Sequence, residues 1–165
     1  MALSPNAKLK FREQIADFCA MAEAYDSRWH YSQRRPYSGL GVAPQSWHTN
    51  DCSSYCDLVF WWAGHYSKHP VAAPLGYHYS GYGFTGSAYN FLKAHTAPVD
   101  KYRIGDMAIY GSTSTTVHMM VCRKEGTGRT AVWSSFGREA GPEARTDVNY
   151  HPSPLVGVFR HPALL

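Results

Sequence analysis

Residues 49–64 read TNDCSSYCDLVFWWAG. Cys52 and Cys56 in that stretch admit four chemistries: a metal clasp, half of a disulfide, packing in a buried helix, or a nucleophile. A zinc site needs a second Cys/Cys or His/His pair at short spacing. The sequence offers only His65 and His69, and His69 precedes Pro70, where a helix should already have ended. No metal or other cofactor is therefore expected. A disulfide between Cys52 and Cys56 within one helical turn is geometrically awkward. Core packing and nucleophile remain. Cys56 runs with Leu58, Val59, Trp62 and Ala63 and reads as a small hydrophobe. Cys52 follows Thr49, Asn50 and Asp51 at the start of a predicted helix. Unpaired N–H groups and the macrodipole favour a thiolate there. Position alone leaves nucleophile and structural cysteine equally open for Cys52.

A nucleophilic cysteine needs a base, and the base needs a partner that orients it. His118 is the best candidate among the nine histidines. It enters the apolar run TTVHMMVC from the polar segment GSTSTT. Alternation puts Thr116, His118, Met120 and Cys122 on one strand face and Val117, Met119 and Val121 on the other. A histidine so placed can reach a helix N-terminus packed against the sheet. Alone, an exposed strand histidine with no role is the more frequent case.

The elements that must position these groups follow from the pattern. Ser4-Pro5 is a helix-start signal. Phe11, Ile15, Phe18, Ala22 and Tyr25 then mark one face of a helix over about 5–25. Residues 26–50 have no period and read as a long loop, which in a compact domain often lines a site. A second helix is predicted over about 52–65 with Asn50 or Asp51 as its cap. Its tryptophans are expected to anchor it to the sheet. A Gly/Tyr-rich loop and a short helix over about 86–95 follow. From residue 100 the sequence predicts strands in RIGDMAIYG (with Gly105-Asp106 as a turn), TTVHMMVCRK, RTAVWSSF and LVGVFRH. The loop EGTG joins two of them, and a Pro-rich connection precedes the last. Helices first and an antiparallel meander last is the order of an α+β domain.

Composition sets the outer limits. The 165 residues suit one domain with a sizeable core. With 44% hydrophobic and 17% charged residues the chain is globular rather than disordered. A formal charge of +4 without a Lys/Arg block argues against a dedicated nucleic-acid binder. Twelve tyrosines and five tryptophans suit a wet groove for sugar or peptide. The start MALSPNAKLKFREQ lacks the apolar stretch of a signal peptide, and no run is long enough to span a membrane. The cysteines fall mostly in apolar segments, as buried free thiols do.

Three segments together, DCSSYCDLVFWW, VDKYRIGDMAIYG and VHMMVC, resemble the NlpC/P60 cell-wall peptidases. WHYSQRRPYSG and SSFGREAGP are similar to segments in the peptidase domains of actinobacteriophage endolysins. The resemblance covers about residues 25–160. It implies a papain-like α+β fold, a single catalytic domain over 1–165 and a monomer. It also implies hydrolysis of amide bonds in peptidoglycan stem peptides, with no nucleic-acid partner and no stable membrane insertion. By motif position Cys52 is the nucleophile and His118 the general base. Many relatives carry a second histidine on the next strand. Phe136 stands there in this chain, so Glu139 is favoured as third member, with Ser134 or Ser135 as weaker orienters. The oxyanion would take the N–H of Cys52 and the hydroxyl of Tyr31, with Tyr37 as alternative. Asp51 reads as cap and loop anchor beside the substrate, and Ser53 as a substrate contact or cap. A D-γ-glutamyl–diaminopimelate endopeptidase is the first expectation and an N-acetylmuramoyl-L-alanine amidase the second. A non-catalytic wall-binding module and another papain-like acyl-transfer activity compete with both. A lysin without a leader accumulates in the host cytoplasm and meets the wall after the membrane is breached. Lysins of this kind often carry further domains.

Overall fold

The computed structural model describes residues 2–76, 78–137 and 141–165. Ser4 caps helix α1 (Pro5–Ala24): its hydroxyl accepts the N–H of Ala7. Phe11, Ile15, Phe18 and Ala22 form its buried face as their spacing predicts, together with Ala7 and Cys19. Tyr25 instead caps the C-terminus and stays exposed.

The predicted loop over 26–50 contains structure that its sequence hides. Strands β1 (Trp29–Tyr31) and β2 (His48–Asn50) pair in parallel. Three residues are too few to display a two-residue period. Helix α2 (Cys52–Ser67) is buried on nearly every side, which explains an apolar run that does not alternate. It packs on α1 through Phe60 on Phe11 and Trp62 on Phe18, with ring centroids 5.7 and 5.6 Å apart. Each buried phenylalanine contributes roughly 1.5–3 kcal/mol. Trp62 thus anchors α2 to α1 rather than to the sheet, and Trp61 stacks on His65. The sheet anchor is Tyr55, which meets Phe136 edge-on and bonds Ser134 Oγ at 2.7 Å. Helix α3 spans Thr85–His95.

The five-stranded antiparallel sheet is β3 (Asp106–Gly111), β4 (Thr116–Lys124), β5 (Val132–Phe136), β6 (Pro142–Arg145) and β7 (Leu155–Arg160), in the order β6-β5-β4-β3-β7. The chain is thus α+β. Strand β6 was not expected: a proline and alternating charges disguise it as connection. The last strand returns beside β3, so only β3 to β6 form a meander. Asp106 at the head of β3 receives two bonds of 2.8 Å from Arg160 on β7. The turn predicted at Gly105-Asp106 lies at Ile104-Gly105, closed by the Asp106 N–H on Arg103 O at 3.0 Å, and Asp106 already belongs to the strand. One face of the sheet carries Met107, Ile109, Met119, Val121 and Phe136 against the helices. The other carries Tyr110, Met120, Cys122 and Trp133 under the loops around Tyr102 and Val148–Leu155.

Among the described residues no helix is long and apolar enough to cross a membrane. All four cysteines are free and buried.

Candidate functional site

Asp51 fixes the start of α2. Its Oδ1 accepts the N–H of Ser54 at 2.8 Å and the hydroxyls of Ser53 and Ser54 at 2.9 and 3.0 Å. Its Oδ2 takes Arg35 Nη2 at 2.9 Å in a pair that is almost wholly buried. Arg35 also donates to Gly83 O at 2.7 Å and to Ser53 Oγ at 3.0 Å. One guanidinium therefore ties the loops before β2 and before α3 to the helix N-terminus. Asp51 is cap and anchor, and the Ser53 hydroxyl is spent within the same network.

Cys52 occupies the first position of α2 and is 4% exposed. Its Sγ lies 3.8 Å from Thr85 Oγ1. Burial, helped by the charge of Asp51, pushes the thiol up to about 11. The N–H of Met119, the Thr85 hydroxyl and the N–H of Ser53 act in the opposite direction without prevailing. The expected thiolate bias of a helix start is thus outweighed by desolvation. Cys56, one turn on, is fully buried in the core.

The Met119 contact places Cys52 beside β4 at the residue that follows His118. The strand is irregular there. Tyr110 pairs with His118 and Gly111 with Thr116, so Val117 is the extra residue of a bulge. Bulges re-aim neighbouring side chains. Gly111 makes this one possible. Its φ is +124°, and a Cβ there would collide with Thr115 O. Val117 is consequently turned outward and 49% exposed.

His118 is 5% exposed and held from one side by two hydroxyls. Ser135 Oγ on β5 lies 3.1 Å from its Nε2 and Tyr150 Oη 2.8 Å, while the two hydroxyl oxygens are 2.6 Å apart. Tyr110 donates to Val148 O at 2.6 Å, which holds the connection before β7 over the sheet and brings Tyr150 and His151 to His118. The rings of His151 and His118 stack at 4.8 Å, 7° from parallel. Burial, together with the charges of His151 and Arg145 and against the opposing effect of Asp51, lowers His118 to about 3. Burial therefore favours the neutral form of both imidazole and thiol in the free protein. Among the described residues no hydrogen bond joins Cys52 to His118. Such bonds are often long in unliganded sites and tighten on the substrate.

Two clefts open on the pair. One of about 340 Å³ runs over Cys52, Thr85 and Phe84. The other, about 440 Å³, runs over His118, Tyr31, Arg145 and Tyr150. Gln33 and Val117 line both. Tyr31 stands on the His118 side, with Gln33 Nε2 3.3 Å from its hydroxyl.

The structure thus sets Cys52, Asp51 and Ser53 in one cleft and His118 with Tyr31 in another that adjoins it through Gln33 and Val117. His118 lies with Tyr110 and Ser135 on the sheet face away from the helices, and Cys52 beside Met119 on the helix side. Ser134 points the other way, to Tyr55. The Tyr37 hydroxyl is bound to buried Asp57, which removes it as an oxyanion donor. The expectation for Glu139 lies outside the described residues. Tyr150, His151 and Arg145 escaped the sequence reading. The available signal was a Tyr-His pair inside an Asn/Pro-rich connection, which has no period. Among the described residues no cluster of three or more His, Cys, Asp or Glu could hold a metal ion.

Neither a protein-family model, nor a curated protein, nor a solved structure matches the chain.

Proposed function

We propose that the chain is a thiol-dependent peptidoglycan hydrolase with an NlpC/P60-like, papain-like fold, acting on the D-γ-glutamyl–diaminopimelate bond of the stem peptide. One observation carries this reading. A cysteine at the first turn of a buried helix and a hydroxyl-held histidine on the neighbouring strand open onto clefts that share Gln33 and Val117.

In the tautomer this chemistry needs, His118 Nε2–H donates to Ser135 or Tyr150, and the Nδ1 lone pair is the base. Substrate entering the groove displaces water, and His118 takes the Cys52 proton as sulfur attacks the carbonyl carbon. The oxyanion accepts the N–H of Cys52 at the helix start and the Tyr31 hydroxyl. Losing one such donor typically costs about 10²–10³ in rate. The imidazolium then gives its proton to the leaving amine, and the C–N bond breaks to leave a thioester on Cys52. His118 next takes a proton from water, whose oxygen attacks the thioester carbon; the C–S bond breaks and the imidazolium returns its proton to the Cys52 sulfur. Carboxylic acid and free thiol result.

Mass spectrometry of the fragments released from purified peptidoglycan tests the reading. New γ-glutamyl carboxyl and diaminopimelyl amine ends are expected. Release of intact stem peptides from muramic acid would replace the endopeptidase by an amidase.

A second reading has one observation in its favour. Among the described residues no hydrogen bond joins Cys52 to His118, and burial favours the neutral form of each, as in a wall-binding module that performs no chemistry. Alkylation of Cys52 separates the two, because it stops turnover and spares simple adsorption to the wall.

For an enzyme of this kind the place of action is the host wall, reached from the cytoplasm after the membrane is breached.

A further inference from the structure

The cleft beside His118 contains a cation that the hydrolysis above does not use. Arg145 stands on edge strand β6 and lines that cleft. Its guanidinium lies over the ring of Tyr150, 4.6 Å from the centroid. Its Nη2 is paired with Glu143. Its Nε is closed off from solvent and has no acceptor among the described residues, so the donors left for a ligand are those of Nη1 and Nη2. A guanidinium presents more N–H donors than one carboxylate oxygen satisfies, arranged as a fork that fits a second carboxylate in two-point fashion. The side chain is about one third exposed and lines the cleft.

The side of the bond that this cleft serves follows from the chemistry. The acyl part of the substrate becomes bonded to Cys52 and lies in the cleft of Cys52 and Thr85. The amine part receives its proton from His118 and leaves through the cleft of His118 and Arg145. We propose that Arg145 binds a free carboxylate on the amine-side fragment, which makes it a specificity residue for a diaminopimelate whose side-chain carboxylate is not amidated. This rests on the stem-peptide reading given above. Charge-assisted, two-point contacts of this kind are lost steeply when the acid becomes an amide. Glu143 fits the same role. It pairs with the guanidinium, and it stands opposite Ser135 in the β5–β6 register, on the sheet face that His118 shares.

The test uses two synthetic stem tetrapeptides, L-alanyl-γ-D-glutamyl-diaminopimelyl-D-alanine with the side-chain carboxylate free or amidated. Each is cleaved by the wild-type protein and by Arg145→Gln and Arg145→Lys, and each is titrated calorimetrically into Cys52→Ala. The wild type should prefer the free acid about 10- to 100-fold in kcat/KM, mainly through KM. Cys52→Ala should show the same preference in binding. Arg145→Gln should cleave the two peptides alike, and Arg145→Lys should keep part of the preference because it retains charge without the fork. Equal cleavage of both peptides by the wild type would overturn the proposal and leave the hydrolase reading intact. So would an undiminished preference in a folded Arg145→Gln protein. Neither cleavage nor binding of either peptide would overturn the stem-peptide reading, and the role of Arg145 with it.

Discussion

Tyr150 Oη stands 2.8 Å from His118 Nε2, across 32 residues of sequence. Ser135 Oγ completes a triangle with both. Two neutral hydroxyls thus hold the imidazole where a second histidine or a carboxylate would supply stronger support. Tyr150 and Ser135 act through His118 and are positioning residues.

Removing either hydroxyl should let the ring turn without removing the base. Tyr150→Phe and Ser135→Ala should each lower kcat about tenfold, the worth of one net hydrogen bond, with little change in KM. The double variant should fall short of the product of the two, because the hydroxyls also bond each other. Glu139→Gln belongs in the same series. A loss of activity there well beyond that of either hydroxyl variant would move the orienting role to the carboxylate.

The neutral resting pair has a direct signature. Burial holds Cys52 near 11, so only a small fraction is thiolate at neutral pH. Iodoacetamide should label it at least ~10²-fold more slowly than an ordinary exposed cysteine at pH 7. The rate should climb about tenfold per pH unit from pH 7 to 9. The direction follows from the sign of the shift: a raised thiol value moves the reactive form to higher pH. Fast labelling that does not change with pH would reveal a preformed thiolate–imidazolium pair and contradict the burial argument.

Arg35 and Asp51 place the nucleophile, and their pair is buried. Asp51→Ala removes a helix cap and strands a buried guanidinium. A cost of about 3–5 kcal/mol is expected from denaturant unfolding. Activity should fall beyond what the lower folded fraction explains, since the guanidinium that holds Gly83 keeps only its Ser53 bond to α2. A loss below about 1 kcal/mol would show that the anchor is elsewhere.

How much of this was legible follows from the kind of signal each residue leaves. Ser4-Pro5 and the Phe11–Ala22 spacing are local patterns, and α1 starts where they say. Asp51-Cys52 marks a helix start because a cap and an apolar run adjoin, and Asp51 does cap α2. The pairing of Trp29–Tyr31 with His48–Asn50 is invisible because three residues cannot establish a period. Val117 looks like an inward-facing strand residue until the bulge permitted by Gly111 turns it out. Tyr150 and Arg145 reach His118 only through the long return of the connection before β7 and through edge strand β6. No local pattern encodes either path. The helix start suggested an activated thiol, but local sequence does not report desolvation, which here prevails.

The central claim is that the sulfur of Cys52 does the chemistry. The most direct measurement compares wild type with Cys52→Ala on purified peptidoglycan, following the release of new amino groups and the loss of turbidity. Circular dichroism confirms an unchanged fold in the variant. The account predicts that the wild type clarifies the wall and exposes new amines, and that Cys52→Ala does neither while still adsorbing to it. Release of amines by the folded Cys52→Ala protein at the wild-type rate would contradict it.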